Sequence, residues 1–415
     1  MKLMSHKIGL LIAIFLFTPF LLNAQTKTTK LKKGVNIAIN ITNKHKQPPQ
    51  TYTNIGLISN YEFLNGFGLN AISSITLYKT NGFQLTGITN ITGLDVNGFQ
   101  TSGFANITGR DTKGIALSGL LNVNGKSTNG FALSGLANFS GNNMNGVALS
   151  GIMNINGKNG TGLQLSGIAN IAGSTQKGIM IGGLMNASGD SLKGIQITSL
   201  LNISAQANNG AQIAALSNIT TRNHGFQLGL ANYGSTNNGL QAGVVNVSNK
   251  GKHGFQVGLV NINTDEKAHQ IGCVNLNPST QTQLIISSGS LHWLNLAVRF
   301  KNKYTYTEIG SSSFHSDINK EIAVSGFYRA GIYHALTPKF ELSGDAAFYH
   351  TETLKNKHCN YPSRLYTLHP RINLSYKIIK GVEVFISGGY SWSHSYKHNT
   401  YYKHKPTFEG GIILF

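Results

Sequence analysis

Apolar and polar residues alternate with period two along most of the chain. In one representative segment the apolar positions are Phe131, Leu133, Gly135, Ala137 and Phe139, and the positions between them are Ala132, Ser134, Leu136, Asn138 and Ser140. Because successive side chains of a strand point to opposite faces, this pattern predicts a β-strand with one apolar and one mostly polar environment. The apolar face spans about nine residues, the length of a strand that crosses a bilayer in a β-barrel.

The alternating segments are tandem repeats. Glycine recurs every 16 residues from Gly66 to Gly210, and a typical unit reads GFALSGLANFSG followed by a polar spacer of four residues. The units then shorten to 14 or 15 residues, beginning at Gly225, Gly239 and Gly254. A fixed period of this kind indicates a repeat architecture with one strand in each unit.

A large antiparallel up-and-down outer-membrane β-barrel of about 20 or more strands fits these repeats, with the apolar face towards lipid and the polar face towards the lumen. Its amide side chains would then bind water and polar solutes. The predicted lumen-lining residues are Gln84, Asn90, Gln100, Asn106, Asn122, Asn138, Asn154, Gln164, Asn170, Gln196, Asn202, Gln212 and Asn218.

A β-solenoid followed by a smaller C-terminal barrel is the alternative fold. An apolar residue recurs on the mostly polar face, as at Ile88, Phe104 and Leu136, where a watery lumen does not need it. The shortened units lose one residue in mid-strand, which in a flat strand would turn Asn232 and Asn246 to the apolar face. A solenoid corner at the deleted position absorbs this change. The recurrent asparagines would then form a ladder between coils, and the apolar residues would form a narrow core.

The chain is predicted to have four segments. Residues 1–24 have the organisation of a cleaved secretory signal peptide, with basic residues, an apolar run over 8–22 and Ala24 at the cleavage point. Residues 25–33 are a basic segment, residues 34–282 are the repeat region and residues 283–415 are barrel strands. Export and an all-β pattern together predict the outer membrane of a diderm bacterium.

The C-terminal segment keeps the alternation without the repeat. Its apolar positions include Tyr390 and Trp392 near a strand end, where outer-membrane barrels carry aromatic residues at the membrane interface. Glu341 and Asp345 share the opposite face and are expected to be polar groups of the lumen. Tight connections at 336–339 and 379–381 alternate with long polar ones at 351–363 and 396–405, which is the loop pattern of outer-membrane barrels.

The chain ends in the amphipathic segment FEGGIILF, which stops on an aromatic residue. This segment resembles the C-terminal assembly signal of bacterial outer-membrane β-barrel proteins, carried here by Phe408, Ile413 and Phe415, with Ile413 and Phe415 on one face. The resemblance implies recognition by the barrel-assembly machinery, and tight turns and a C-terminus that face the periplasm.

A second resemblance lies in the repeats. The units at Gly225, Gly239 and Gly254 follow the pattern G-Φ-Q-Φ-G-Φ-x-N, where Φ is an apolar residue. They resemble the short repeats of bacterial surface-repeat proteins. This resemblance implies a location in the cell envelope and no particular chemistry.

The formal net charge of +20 predicts attraction to outer-membrane lipid and lipopolysaccharide, and export argues against nucleic acid as a partner. The two cysteines, Cys273 and Cys359, are too few for a disulfide scaffold. His394, His398 and His404 lie near one long loop, but their spacing fits no structural zinc pattern, so no metal or cofactor is predicted.

Catalytic motifs are missing from the sequence, which has no nucleophile elbow, zinc-protease motif or phosphate-binding loop. We therefore expect a non-enzymatic outer-membrane protein that acts as a passive channel or surface scaffold with an amide-lined interior. The alternative is a surface-exposed solenoid that mediates adhesion or binds glycans or proteins and is anchored by a C-terminal barrel. The sequence does not specify the solute, the partner or the oligomeric state.

Overall fold

A computed structural model describes residues 50–251, 253–303, 305–315, 323–354, 363–396 and 402–415. The predicted signal peptide, the basic segment, Cys359 and His398 lie outside the described residues. Every regular element in these ranges is a β-strand, so the predicted all-β class is confirmed. The chain divides into two compact units, Met1–Leu230 (unit 1) and Ala231–Phe415 (unit 2).

Unit 1 is a solenoid of parallel strands. Its strands are β1 (Thr51–Thr86), β2 (Thr89–Thr92), β3 (Asp95–Ser102), β4 (Ala105–Thr108), β5 (Thr112–Ser118), β6 (Leu121–Asn124), β7 (Thr128–Ser134), β8 (Ala137–Ser140), β9 (Met144–Ser150), β10 (Met153–Asn156), β11 (Gly160–Ser166), β12 (Ala169–Ala172), β13 (Gln176–Gly182), β14 (Met185–Ser188), β15 (Ser191–Thr198), β16 (Leu201–Asn208), β17 (Ala211–Ala214), β18 (Ser217–Asn223) and β19 (Phe226–Leu228).

Each coil of the solenoid consists of a longer strand, a tight corner, a shorter strand and a turn. Strand β7 pairs in parallel with β9, and β8 pairs in parallel with β10. Gly130 therefore lies beside Gly146, and Asn138 lies beside Asn154, each 16 residues further along the chain. The 16-residue period is the length of one coil.

This topology confirms the solenoid alternative, and the interpretation of the repeats as antiparallel strands of one large barrel is wrong. A meander reverses the chain once for each strand. Here the chain reverses twice in each repeat, at the corner and again at the spacer, so equivalent strands run in the same direction.

Gly130 shows why glycine recurs at the start of the longer strands. Its φ is +135°, and a Cβ atom there would lie 2.1 Å from the carbonyl oxygen of Gly114 in the preceding coil. Both the backbone conformation and the close approach exclude a side chain. The period of glycines therefore follows from the stacking of coils.

The polar face of each strand points into the solenoid, and the large apolar side chains point outwards. In one coil Ala132 and Asn138 are buried, whereas Leu133 and Leu136 are 41% and 38% exposed. The prediction that the apolar residues form a narrow core is therefore wrong. Leu136 shares its parity with Asn138, but the corner between β7 and β8 breaks the alternation and turns Leu136 to the outside.

Unit 2 begins with parallel coils and continues into an antiparallel barrel. Its strands are β20 (Ala231–Asn237), β21 (Leu240–Lys250), β22 (Phe255–Asn263), β23 (His269–Leu276), β24 (Gln281–Gly289), β25 (His292–Lys301), β26 (Thr305–His315), β27 (Ala323–Ala335), β28 (Phe340–Thr353), β29 (Arg364–Ile379), β30 (Val382–Ser395) and β31 (Tyr402–Leu414).

Strands β24 to β31 form a closed barrel of eight strands within the described ranges. Each strand pairs antiparallel with the next, and β24 closes the barrel against β31, with Leu284 beside Leu414. The predicted smaller C-terminal barrel is thereby confirmed, and its first strand begins at Gln281. The connections β25–β26, β27–β28 and β29–β30 are short and lie at the end of the barrel where β24 begins and β31 finishes, which is called the tight-turn end below. The connection β24–β25 is also short and lies at the opposite end.

Candidate functional site

The asparagines predicted to line a lumen form a ladder inside the solenoid of unit 1. Asn138 donates from Nδ2 to Oδ1 of Asn154 (2.8 Å) and to the carbonyl oxygen of Leu149 (2.8 Å). It accepts from Asn122 Nδ2 at 2.9 Å. The same contacts link the asparagines from Asn90 to Asn218, and all of them are buried. The members are Asn90, Asn106, Asn122, Asn138, Asn154, Asn170, Asn186, Asn202 and Asn218.

The predicted glutamines occupy the longer strands of the same interior. Gln100 donates to Gln84 at 2.9 Å, and Gln212 donates to Gln196 at 3.0 Å. Gln164 donates to Gln176, at 3.2 Å. The predicted lumen-lining residues therefore lie between stacked coils of a solenoid rather than in the lumen of a barrel, because their equivalents 16 residues away are parallel neighbours.

The shortened repeats lose the last residue before the corner. Strand β17 has four residues, and β19, its parallel neighbour, has three. The corner absorbs the deletion, as the sequence predicted. In unit 2, Asn232, Asn246 and Asn261 stay buried and continue a ladder with donor–acceptor distances of 2.9 Å.

In unit 2 the barrel caps the amide ladders. Asn275 donates from Nδ2 to Thr307 Oγ1 at 2.7 Å, and Gln270 Oε1 accepts from Asn302 Nδ2 at 3.3 Å. The hydroxyl of Thr305 donates to the Gln270 carbonyl oxygen. Terminal coils of solenoids need polar caps, because their outer edge would otherwise leave hydrogen-bonding groups unpaired. Here the tight-turn end of the barrel supplies that cap.

A network of ion pairs fills the barrel interior. Glu308 lies 2.6 Å from Arg299 Nη2 and 2.7 Å from Arg329 Nη1. Arg371 contacts Asp345 Oδ1 from Nε at 2.9 Å and Glu409 Oε2 from Nη1 at 2.8 Å. These groups are almost completely shielded from solvent. Among the described residues the network contains three guanidinium groups and three carboxylates, so its formal charge is balanced.

Neutral side chains complete the network. Tyr349 accepts from Arg329 Nη2 at 2.8 Å, and Tyr306 donates to Asp345. Asn373 donates to the same carboxylate at 2.8 Å, and Ser287 donates to Glu409 at 2.6 Å. The interior of an eight-stranded barrel is wide enough for side chains to fill or for one small ligand, and here side chains occupy it. These residues therefore close the lumen.

The sequence predicted part of this network. Asp345 was expected to be a polar group of the lumen, and its inward position is confirmed, as is that of Glu341, which pairs with Lys301 at 2.7 Å. The three arginines were missed. The alternation of their strands could have identified them as inward-facing, because each lies on the face opposite the apolar positions. They are Arg299, Arg329 and Arg371.

The predicted aromatic and assembly residues lie in the last two strands. The rings of Tyr390 and Trp392 are 5.0 Å apart, and their role at a membrane interface stays a prediction. Phe408 is exposed on the outer wall. Ile413 is buried in the barrel and Phe415 is exposed, so the two do not share a face. Phe415 follows the end of β31 with φ +81°, which breaks the alternation.

Among the described residues, no group of three or more His, Cys, Asp or Glu side chains could hold a metal ion. His394 lies in β30 and His404 in β31. In the part of the chain that the structure describes, there is no helix long and apolar enough to cross a bilayer.

The structure consists of a β-solenoid that is followed along the chain by a closed eight-stranded antiparallel barrel. No known protein family and no curated protein matches the chain. A similar solved structure is that of Neisserial surface protein A. The likeness has 11% sequence identity and a TM-score of 0.23, and it covers 32% of this chain and 94% of that chain.

Proposed function

We propose that this chain is a non-enzymatic protein of the bacterial outer membrane, in which a closed barrel anchors a solenoid scaffold. The observation that carries the proposal is the charge-balanced network around Glu308 and Arg371, which occupies the lumen. A barrel whose interior is filled in this way serves as an anchor and gives solutes no path.

The polarity of the barrel wall supports a membrane location. Outward-facing Ile372, Ile386 and Phe408 are 66%, 68% and 71% exposed. Most inward-facing side chains are polar or charged, alongside a smaller apolar cluster that includes Ile285, Phe327 and Phe385. A soluble barrel has the opposite arrangement, with an apolar core. Strands β27 to β31 have 13 to 16 residues, which exceeds the 9–11 needed to cross a bilayer.

The connectivity supports a periplasmic position for the repeats. Strand β23 precedes the barrel at its tight-turn end, where Thr305 and Thr307 cap the amide ladder. Outer-membrane barrels place their short turns on the periplasmic side. We therefore propose a periplasmic scaffold rather than a surface-exposed adhesion module.

Single-channel recording tests the closed lumen. The full chain, reconstituted in planar phospholipid bilayers, is expected to give no conductance steps, while a general porin in the same bilayers does. Strand content and a heat-dependent shift on gel electrophoresis would establish that the barrel is folded. Stable conductance steps from folded protein would refute the anchor and restore the passive channel.

Cysteine labelling tests the orientation. In a variant lacking Cys273 and Cys359, a cysteine at Lys126 is expected to react with an impermeant maleimide only after the outer membrane is permeabilised. Lys126 lies on the exposed turn of its coil, so the substitution leaves strand pairing intact. Labelling in intact cells would instead support the surface-exposed solenoid.

A further inference from the structure

We infer that the solenoid of unit 1 inserts one edge into a single phospholipid leaflet, an inference that rests on the proposed membrane anchor. The inserted part, here called the keel, is the segment of each coil after the strand-initial glycine, through the corner and back along the shorter strand. It comprises residues 83–93, 99–109, 115–125, 131–141, 147–157, 163–173, 179–189 and 195–204.

Charge is completely segregated along the coils. The keel contains no Asp, Glu, Lys or Arg at any of its positions. The remaining residues of these coils form the spacer edge, which comprises residues 94–98, 110–114, 126–130, 142–146, 158–162, 174–178 and 190–194. This edge carries six basic residues against three acidic ones. The solenoid is therefore amphipathic across its width.

The keel exposes large apolar side chains along its longer strands and at its tip, and the apolar side chains of its shorter strands, such as Ile171, are half-buried. In one coil, Ile179 and Ile181 face outwards from the longer strand, and Leu184 at the corner is 46% exposed. Contiguous apolar surface of this extent marks an interaction site on a soluble protein. Its repetition on coil after coil indicates an extended partner rather than a single small ligand.

The depth of the keel matches one leaflet. From Ile179 to Leu184 the chain advances five residues, which at about 3.3 Å per residue is about 17 Å. The hydrocarbon core of a bilayer is about 30 Å thick, so one leaflet contributes about 15 Å. The tip of the keel would reach the bilayer midplane while the spacer edge stays among the headgroups.

Hydrocarbon disfavours backbone polar groups without a partner, and most backbone amides of the keel have one. Even the corner is hydrogen-bonded between coils. The Leu184 amide donates to the carbonyl oxygen of Ile168 at 2.9 Å, and the Gly183 amide donates to that of Ser166 at 3.1 Å. Most of the buried amide side chains pair inside the coils, and their burial keeps all of them away from lipid.

The spacer edge suits anionic headgroups. A shallow concavity there is lined by Asn143, Asn145, Asn159, Thr161, Thr175, Lys177 and Lys193. Amide, hydroxyl and ammonium groups are donors that phosphate oxygens accept from. The chain that follows unit 1 enters the barrel at its tight-turn end, so the expected leaflet is the periplasmic one, which consists of phospholipid.

Fluorescence quenching in bilayers tests the insertion. In the full chain lacking both cysteines, the variants Leu184→Cys, Lys177→Cys and Ile386→Cys are each labelled with a polarity-sensitive fluorophore. They are reconstituted in vesicles of phosphatidylethanolamine and phosphatidylglycerol that carry a nitroxide either on the headgroup or in the middle of the acyl chain. Position 386 on the barrel wall reports the anchor, and position 177 is the matched control in the same coil as position 184.

We expect the chain nitroxide to quench the label at position 184 at least twofold more than the headgroup nitroxide does. At position 177, about 23 Å away along the strand, the headgroup nitroxide should quench the label more than the chain nitroxide does. Quenching at 386 without quenching at 184 would overturn the insertion and leave the anchor intact. A label at 184 that neither lipid nitroxides nor aqueous iodide quench would show that protein covers the keel, and this too would overturn it. No quenching at 386 would overturn both proposals.

Discussion

Replacing Asn138 with alanine tests whether the amide ladder stabilises the solenoid. The side chain donates to Asn154 and to the carbonyl of Leu149, both at 2.8 Å, and accepts from Asn122 at 2.9 Å, all in the buried interior. A buried hydrogen bond contributes about 1 kcal/mol net, and three are lost. We therefore expect local destabilisation of about 3 kcal/mol.

The chain offers a matched control in Asn145. Its Nδ2 donates to Asn129 Oδ1 of the adjacent coil at 2.7 Å. This hydrogen bond is as short as those of Asn138, but it is exposed to solvent. Water replaces the lost partner at such a site, and the expected cost of Asn145→Ala is below about 0.5 kcal/mol. The two variants thus differ in burial and in the number of hydrogen bonds lost.

Hydrogen exchange of the full chain in detergent micelles measures both effects. A loss of about 3 kcal/mol corresponds to exchange that is about 150-fold faster at the amides of β8 and its neighbours, since 1.4 kcal/mol is a factor of ten. The effect should fade over the adjoining coils, because each repeat contacts only its neighbours. Exchange in the barrel should not change. If Asn138→Ala accelerates exchange no more than Asn145→Ala does, buried amides do not hold the coils together.

Three further substitutions test the other structural assignments. Gly130→Ala should prevent regular coil stacking and reduce the protease resistance of the repeats, because the new Cβ would lie 2.1 Å from a carbonyl oxygen. Gly326→Ala is the control and should be neutral, because its Cβ would meet nothing within 4 Å. Arg371→Met should destabilise the barrel by about 3–5 kcal/mol in urea titrations of the lipid-folded protein, because buried carboxylates lose their partner. The exposed Arg364→Met is the control and should cost less than about 1 kcal/mol. Thr307→Val should accelerate exchange in β23 by about fivefold to tenfold, corresponding to about 1 kcal/mol, by removing one cap hydrogen bond, and unchanged exchange would contradict the capping role.

The sequence was sufficient to predict the strands and the coil length. The period of 16 at Gly130 and its equivalents follows from stacking, and the alternation around Asn138 separates an inner from an outer face. The deletion before Gly239 also indicated a corner. The alternation can be read from a single repeat, and the period and the deletion from a comparison of successive repeats, so none of them requires the strand direction.

Strand direction is not local, and for this reason the repeats fitted two folds. Alternation with period two is the same in parallel and antiparallel sheets. The recurrent Leu136 pointed to the solenoid, but its outward position depends on a corner that breaks the alternation. A residue counted by parity as internal is therefore exposed, and the expected apolar core does not exist.

Predicting the ion-pair network in the lumen requires the strand register and the curvature of the barrel. Arg371 is the antiparallel neighbour of Asp345, so a sequence with known strand pairing would have revealed that contact. Its contact with Glu409 joins β29 to β31, which are separated by β30. The two side chains lie on the same face of the curved sheet and reach across β30 to within 2.8 Å, and no spacing in the sequence encodes this contact.

The solenoid and the barrel reach the same distribution of polarity by different topologies. In unit 1 the strands stack in parallel into two closely spaced sheets. Small and amide side chains fill the space between the sheets, so the large apolar side chains project outwards. In the barrel the strands are antiparallel and the polar face lies in a lumen that is closed by paired charges. Both interiors meet their hydrogen-bonding needs mainly within themselves, and both leave an apolar exterior. The proposed contact with lipid would account for that arrangement in both parts of the chain, because hydrocarbon favours an apolar exterior over a backbone whose polar groups are paired internally.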